Sequence, residues 1–441
     1  MKYVKLPVRM LYWLSAILLG IVLLAGCTLG SDPDGRVTLL NEELVLVDIA
    51  DSGSYSRTLS PEGASRAVKA VKPAPGGATI TFVAEVAPPE DALGRELQAS
   101  HIALTSNGKY AIVSYMLRGT ESSGAIDIID VSKPSSPVLL RTTLFQDFDI
   151  AAVIEESGRL YLAGQKIGEP DAGNNAYVMA IDYSTSNGAL NKATAAAIAL
   201  PGHFATDLAS HNGLLYVTTG AYSETQPDVG LFALRLESGE FMIGESSVGS
   251  YPDLRSIAAG SDSLAVFEAQ TSSPVPSSVC RLDIYKEHGL GSPDMTVNLS
   301  SFPAQAEAKS KIGYFGDLFF VAANLSGVAI VDPDSGTVRA SIPAPSLGDL
   351  APELQTSNAV SSGNASGKDI ILIANGEAGL WVGDGDLVKV QTGGTTRSLS
   401  SINGSIRFGL GESVNYVAGK SSLVVAAVGT GGLKVLNMAI K

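Results

Sequence analysis

The stretch GAIDIIDVS (residues 124–132) opens on a glycine, runs apolar through β-branched residues, and closes on Asp130 and Ser132. That is strand chemistry followed by turn chemistry. The pattern returns along the chain in NAYVMAIDYS (175–184), GLFALRLESG (230–239), SVCRLDIYKE (278–287), GVAIVDPDSG (327–336), GLWVGDGD (379–386) and GLKVLNMAIK (432–441), at intervals of 48 to 55 residues. Each unit is preceded by a second apolar run such as YAIVSYM, LLYVTTG or DIILIAN. Weaker strands such as HIALTSNG, DIAAVIEESG and TDLASHNG come before that, and a further strand such as PVLLRTTLF follows. The glycine that opens the third strand is expected where a tight turn needs positive φ.

Four short strands per unit of about 50 residues is the blade of a β-propeller. No long stretch beyond the N-terminal segment keeps a helical period. The expectation is therefore an all-β, seven-bladed β-propeller over residues 78–441. The last unit ends after its third strand at Lys441, and ATITFVAEVAP (78–88) has no blade of its own. This predicts that the N-terminal strand closes the ring as the outer strand of the last blade, covering two exposed edges. An eighth blade follows only if the apolar island Arg36–Ala50 builds more than a hairpin.

AIDIIDVSKPSSPVLL (125–140) resembles the unit of LVIVD-repeat proteins, in which a Gly-led strand ends in Asp-[IV]-Ser-x-Pro. Residues 413–441 and 324–336 match it more loosely, and the other four units keep only the hydrophobic frame. The resemblance implies a bacterial surface or periplasmic propeller and assigns no activity.

The N-terminus carries an address. Lys2, Lys5 and Arg9 precede an apolar run from Met10 to Ala25, which ends in Leu24-Ala25-Gly26-Cys27. The run is shorter than the ~20 residues that span a bilayer. The small residues before Cys27 resemble the bacterial lipoprotein box, which implies a signal peptide over 1–26, cleavage before Cys27 and lipidation of its thiol. Thr28 follows where an Asp would favour inner-membrane retention. The expected location is the cell envelope, with the outer membrane or outer surface favoured. Residues 27–77, rich in turn formers, read as a lipidated tether with a possible extra hairpin.

Composition excludes other classes. With 30 Lys+Arg against 44 Asp+Glu, the formal charge is −14. Losing Lys2, Lys5 and Arg9 with the signal peptide makes it −17. A net acidic surface repels phosphate backbones, so no nucleic-acid partner is expected. Two cysteines exclude a disulfide scaffold, and with Cys27 lipidated Cys280 is the only thiol left in the mature chain. No GxSxG, CxxCH or GxxxxGK[ST] occurs, and only Trp381 of the two tryptophans survives processing. No cofactor and no metal site is expected.

In a propeller the innermost strands line the channel, and their first residues ring one mouth. Aligning the units on the second strand places His101, Asp149, Asp207, Ser256, Lys311, Asn358 and Asn415 there. Wet channel mouths carry polar residues without a function. His101, Asp149 and Asp207 are the one place where a histidine and two carboxylates converge, the basis of an alternative reading as a hydrolase or lyase. His203, His211 and His288 read as loop or turn residues. Asp332–Gly336 and Asp384-Gly-Asp386 resemble fragments of calcium loops but lack the complete spacing, and a turn accounts for both. Long insertions at 116–124, 164–175, 220–230 and 269–278 lie between second and third strands and so project from one face. Tyr115, Tyr222 and Glu224 are the partner candidates on them. The leading function is a lipid-anchored, non-enzymatic propeller that binds a protein, peptide or glycan in the envelope.

Overall fold

A computed structural model describes residues 46–50, 58–59, 69–70, 78–119, 121–166, 175–220, 229–249, 253–268, 280–299, 309–365, 367–384, 397–398 and 402–440. Its strands form seven sheets of four or five strands, antiparallel except where Arg397–Ser398 joins blade 5 in parallel, each a blade of one seven-bladed β-propeller. Blades 1 to 4 run inner to outer in chain order. Blade 1 holds Gln98–Leu104, Tyr110–Met116, Gly124–Asp130 and Val138–Phe145. Blade 2 starts at Phe148–Glu156, blade 3 at Phe204–His211 and blade 4 at Leu254–Ala259. Blades 5, 6 and 7 start at Ile312–Phe315, Ala359–Ala365 and Tyr416–Lys420.

The ring closes as expected. Leu433–Ile440 pairs antiparallel with Ala78–Val86, from Leu433 opposite Val86 to Ile440 opposite Ala78. The island does not build an eighth blade. Leu46–Ala50 instead pairs with Val138–Phe145 as a fifth, outermost strand of blade 1. Two more short pieces of the expected tether behave likewise: Thr58–Leu59 extends blade 7 and Lys69–Ala70 extends blade 6. An exposed sheet edge is a row of unpaired N–H and C=O groups, so any nearby extended segment gains by capping it. Residues 36–45, and with them most of the expected hairpin, lie outside the described residues.

The core lies between blades rather than within them. Seven clusters of buried apolar side chains fill the seven interfaces between neighbouring blades. In YAIVSYM, Ala111 and Val113 face blade 7, while Tyr110 and Ile112 face blade 2. Both faces of a middle strand are therefore dry, which is why the second strands read as continuous apolar runs instead of alternating ones. Each fully buried Val, Ile or Leu contributes about 1.5–3 kcal/mol to holding adjacent blades face to face.

The opening glycines split into two kinds. Gly327, Gly379 and Gly432 take positive φ, at 87°, 93° and 66°. A Cβ there would also lie 2.0–2.2 Å from the carbonyl oxygens of Ile342, Ile406 and Val86 on the outer strands. Gly124 has no positive φ. It is needed because a Cβ would stand 2.3 Å from the Phe148 carbonyl oxygen.

Candidate functional site

The mouth is built by β-bulges. In blade 1 the register slips between Ala99 and His101, in blade 3 between Ala205 and Asp207, and in blade 4 between Leu254 and Ser256. The extra residue is left to point sideways. Ser100 and Thr206 use that position to donate their hydroxyls to the next blade, to the carbonyls of Ile150 at 2.6 Å and Leu254 at 2.8 Å.

The same register corrects one ring position. Blade 2 slips between Ile150 and Ala152, so Ala152 stands where His101, Asp207 and Ser256 stand in their blades. Asp149 sits earlier, at the entry of the strand. One of its carboxylate oxygens accepts the backbone N–H groups of Leu117 at 2.9 Å and Ser123 at 3.1 Å. It thereby ties down the excursion between the second and third strands of blade 1. Burial pushes its carboxyl up to about 6, against the opposing effect of those N–H donors.

At the centre, Lys311 reaches from blade 5 past blade 4 into blade 3. Its ammonium lies 2.7 Å from Asp207 Oδ1 and donates to the Thr206 carbonyl at 2.6 Å. The other oxygen of Asp207 accepts from Ser256 Oγ and from the backbone of Ile257. Ser256 Oγ in turn accepts the Ile312 N–H at 2.9 Å. Burial lowers the Lys311 pKa, and Asp207 opposes that shift.

Lys309, two residues earlier, reaches blade 1 and donates to the Ser100 carbonyl at 3.2 Å. Burial and the neighbouring Lys311 charge bring it down to about 7. The His101 ring stacks on Tyr416 of blade 7, centroids 3.6 Å apart and 30° from parallel. Burial, then the charges of Lys311 and Lys309, hold His101 well below the usual imidazole range. Burial and the Asp207 charge push the Tyr416 phenol well above its ordinary value.

The two asparagines of the ring serve the blade seams. Asn358 Nδ2 donates to the Val414 carbonyl at 2.9 Å, and Asn415 Nδ2 donates to the Ala99 carbonyl at 2.8 Å. Lys311 N–H closes the seam between blades 5 and 6 on the Asn358 carbonyl at 2.9 Å.

His101, Asp149 and Asp207 thus have separate partners: an aromatic ring, the blade 1 excursion, and the Lys311 ammonium. Among the described residues no group of three or more His, Cys, Asp or Glu is placed to hold a metal ion. His203 contacts Gln165, while His211 stacks on His288 at 3.7 Å. Asp332 accepts the Asp334 and Ser335 N–H groups and pairs with Arg339, which is a turn and not a calcium loop. Asp384 lies at the end of a strand, and Asp386 lies outside the described residues. Tyr115 is fully buried, so it presents nothing to a partner. Tyr222, Glu224 and Cys27 lie outside the described residues. Cys280 is buried and not in a disulfide.

Lys309 and Tyr416 were not anticipated. Lys309 carried no signal beyond its place two residues before Lys311, and Ser310 between them takes φ 43°, so the pair is not on one face of an extended chain. Tyr416 carried none beyond its place beside Asn415.

No known family model matches the chain, and no curated protein matches it. Among solved structures, the chain is similar to the computationally designed Ika8 protein at 12% identity and TM-score 0.45, over 81% of this chain and 99% of that one. It is also similar to the WD40 β-propeller domain of Doa1 at 10% identity and TM-score 0.49, over 81% of this chain and 97% of that one.

Proposed function

We propose that this β-propeller is a lipid-anchored interaction scaffold of the bacterial cell envelope, of the LVIVD-repeat kind. It is held by Cys27 and meets a protein, peptide or glycan with the face that carries the channel mouth. The observation behind this reading is how the polar groups of that face are used. Asp149, Asp207, Ser256, Asn358 and Asn415 all bind neighbouring blades or excursions, which makes a rigid platform rather than a reacting centre. The connections between second and third strands leave from the same face, and loops on a rigid frame are where recognition concentrates. Leu93 and Leu410, 75% and 86% exposed, stand on blade-to-blade connections of that face.

Two measurements test the reading. Cys27→Ser moves the protein from the membrane to the soluble fraction; unchanged membrane retention removes the lipid anchor. Photo-crosslinkers at Leu93 and Leu410 capture an envelope partner in cells, whereas one at Asn107, in a turn on the opposite face, does not. Adducts confined to Asn107 assign recognition to the other face.

A further inference from the structure

Leu93, Leu325, Leu354 and Leu410 are the exposed leucines among the described residues. A single exposed apolar side chain is ordinary on a protein surface. These four share one arc of the mouth face. Leu354, Leu410 and Leu93 stand on the successive connections that enter blades 6, 7 and 1, and Leu325 stands on the tight turn of blade 5. Hydrogen bonds make the arc continuous. Asn324, beside Leu325, bridges to Ser357, just after Leu354. The Glu377 N–H donates to the Leu354 carbonyl at 2.8 Å, and Glu377 Oε2 accepts the N–H of Gly411, next to Leu410, at 3.2 Å. Gly429 in the blade 7 turn bridges to Ala99, at the strand entry that the Leu93 connection leads into.

Buried side chains hold these connections in place. Asp91 accepts the N–H groups of Leu93 and Arg95, both at 2.9 Å. Glu412 accepts the Gly409 N–H at 2.6 Å. Gln355 accepts the Leu347 N–H at 2.6 Å and donates to the Leu350 carbonyl at 2.8 Å. All three are buried. A connection fastened in this way is already ordered, so docking against its leucine costs little conformational entropy.

Carboxylates are interleaved with the leucines. Glu90, Glu96 and Glu353 are exposed, and Glu377 is half-buried. Glu90 and Glu96 are antiparallel bridge partners, so two like charges stand directly opposite each other, an arrangement that a cation between them relieves. The cations of the arc are matched elsewhere: Arg95 by Asp91 and Glu121, Arg407 by Asp349, and Lys434 by Glu85 and Glu412. Lys309 turns inward to the Ser100 carbonyl. Among the described residues, the four glutamates are left as the unmatched charges of the arc.

We propose that this arc docks a cationic amphipathic segment of a partner protein, its apolar side chains on the leucines and its Lys or Arg side chains on the glutamates between them. The proposal rests on the scaffold reading and names the chemistry of the partner. A lipid surface also takes exposed leucines, but anionic headgroups repel the interleaved carboxylates.

The test pans a displayed library of random peptides, about 12 residues long, against the purified full-length protein and titrates the enriched peptides by fluorescence anisotropy. Enriched peptides are expected to carry Lys or Arg between large apolar residues, with affinity falling as salt rises. Glu353→Gln with Glu377→Gln weakens binding about threefold to tenfold, the loss of two exposed ion pairs. Leu354→Ser with Leu410→Ser weakens it at least as much. Asp262→Asn with Glu287→Gln makes the same charge change in turns of the opposite face and leaves affinity unchanged. Thermal midpoints equal to the parent's separate lost contact from lost fold. Affinity is also unchanged when the protein is reconstituted in phosphatidylcholine vesicles; loss of peptide binding there assigns the leucines to the lipid surface and overturns the proposal. No enrichment, enriched peptides lacking either the cations or the apolar residues, or affinity unchanged in either arc variant overturns it as well. With such a result, capture of an envelope partner from Leu93 and Leu410 in cells keeps the scaffold reading, and failed capture removes both.

Discussion

Blades 5 to 7 and blades 1 to 4 solve the same connection differently. In blades 5, 6 and 7 the chain passes from second to third strand in a tight turn, closed by Ala323 N–H on Gly327, Asn375 N–H on Gly379 and Val428 N–H on Gly432. Each turn then pairs with the entry of the next blade: Asn324 with Ser357, Gly376 with Val414, and Gly429 with Ala99. Backbone pairing joins these blades, and the uncharged amides of Asn358 and Asn415 reinforce the seams. In blades 1 to 4 the passage is long, and side chains take over the joining. Asp149 holds the excursion of blade 1 by its N–H groups. Asp253 stands against Gly220 at the root of the blade 3 excursion and pairs with Arg255. Where the connection is short, the ring is closed by geometry; where it is long, it is closed by buried charge. The second solution leaves room for inserted sequence and makes stability depend on pH.

The two regions are joined by Lys311, and that link gives the largest expected effect. Lys311→Met strands Asp207 in the interior, and loss of one partner of a buried pair costs about 3–5 kcal/mol. Chemical denaturation should show that loss, and adding Asp207→Asn should recover much of it; a loss under about 1 kcal/mol would mean the regions are not coupled there.

Next in size is Gly379→Ala. It requires positive φ and places a Cβ 2.1 Å from the Ile406 carbonyl oxygen, so about 2–4 kcal/mol should be lost. Gly239→Ala in blade 3, also at positive φ but with nothing within 4 Å, should lose only about 1 kcal/mol. Equal losses would erase the distinction between close-packed and open turns.

The pH effect follows. Burial raises Asp149 and Asp253 to about 6 and Glu268 to about 7. A carboxyl raised in the folded state keeps its proton there after the unfolded chain has released it. Stability is then fullest below the unfolded pKa and falls as pH rises from about 4 towards 6 or 7. Asp149→Asn and Glu268→Gln should therefore be more stable than the parent at pH 7.5 by about 1–2 kcal/mol, with the advantage vanishing near pH 4. An advantage independent of pH would show that the carboxylates are not the cause. All three groups lie on blades 1 to 4 or their entries.

The smallest effect is expected at Leu410. It is exposed, and Leu410→Ser should change stability by less than about 0.5 kcal/mol while weakening partner crosslinking.

The architecture was legible in the sequence because its signals are local. The seven Gly-led strands, the short last unit and the orphan Ala78–Val86 strand each follow from apolar runs and turn residues. The site was legible only in part. His101, Asp207 and Ser256 lie where counting puts them, but in blade 2 it is Ala152 that follows the bulge as His101 follows Ser100, and Asp149 stands before it, where Gln98 stands in blade 1. A bulge is decided by how two strands twist together, and nothing in DIAAV announces it. Lys309 and Lys311 act on residues of blades 1 and 3, and contacts across a ring leave no periodic trace. Asp149 and Asp253, which hold the long excursions, look in sequence like ordinary strand-entry residues.

The capping of the outer edges also has a mechanical meaning. Going towards the ring from its N-terminal side, the chain touches blade 1 at residues 46–50, blade 7 at 58–59 and blade 6 at 69–70. Only then does it become the closing strand at 78–86. A pull arriving from before residue 46 meets these attachments in series. Each is a few backbone bonds long and gives way before the next is loaded. The ladder that keeps the propeller circular is the last to feel the tension, so the rim works as a set of sacrificial fasteners between a pulled chain and the closed ring.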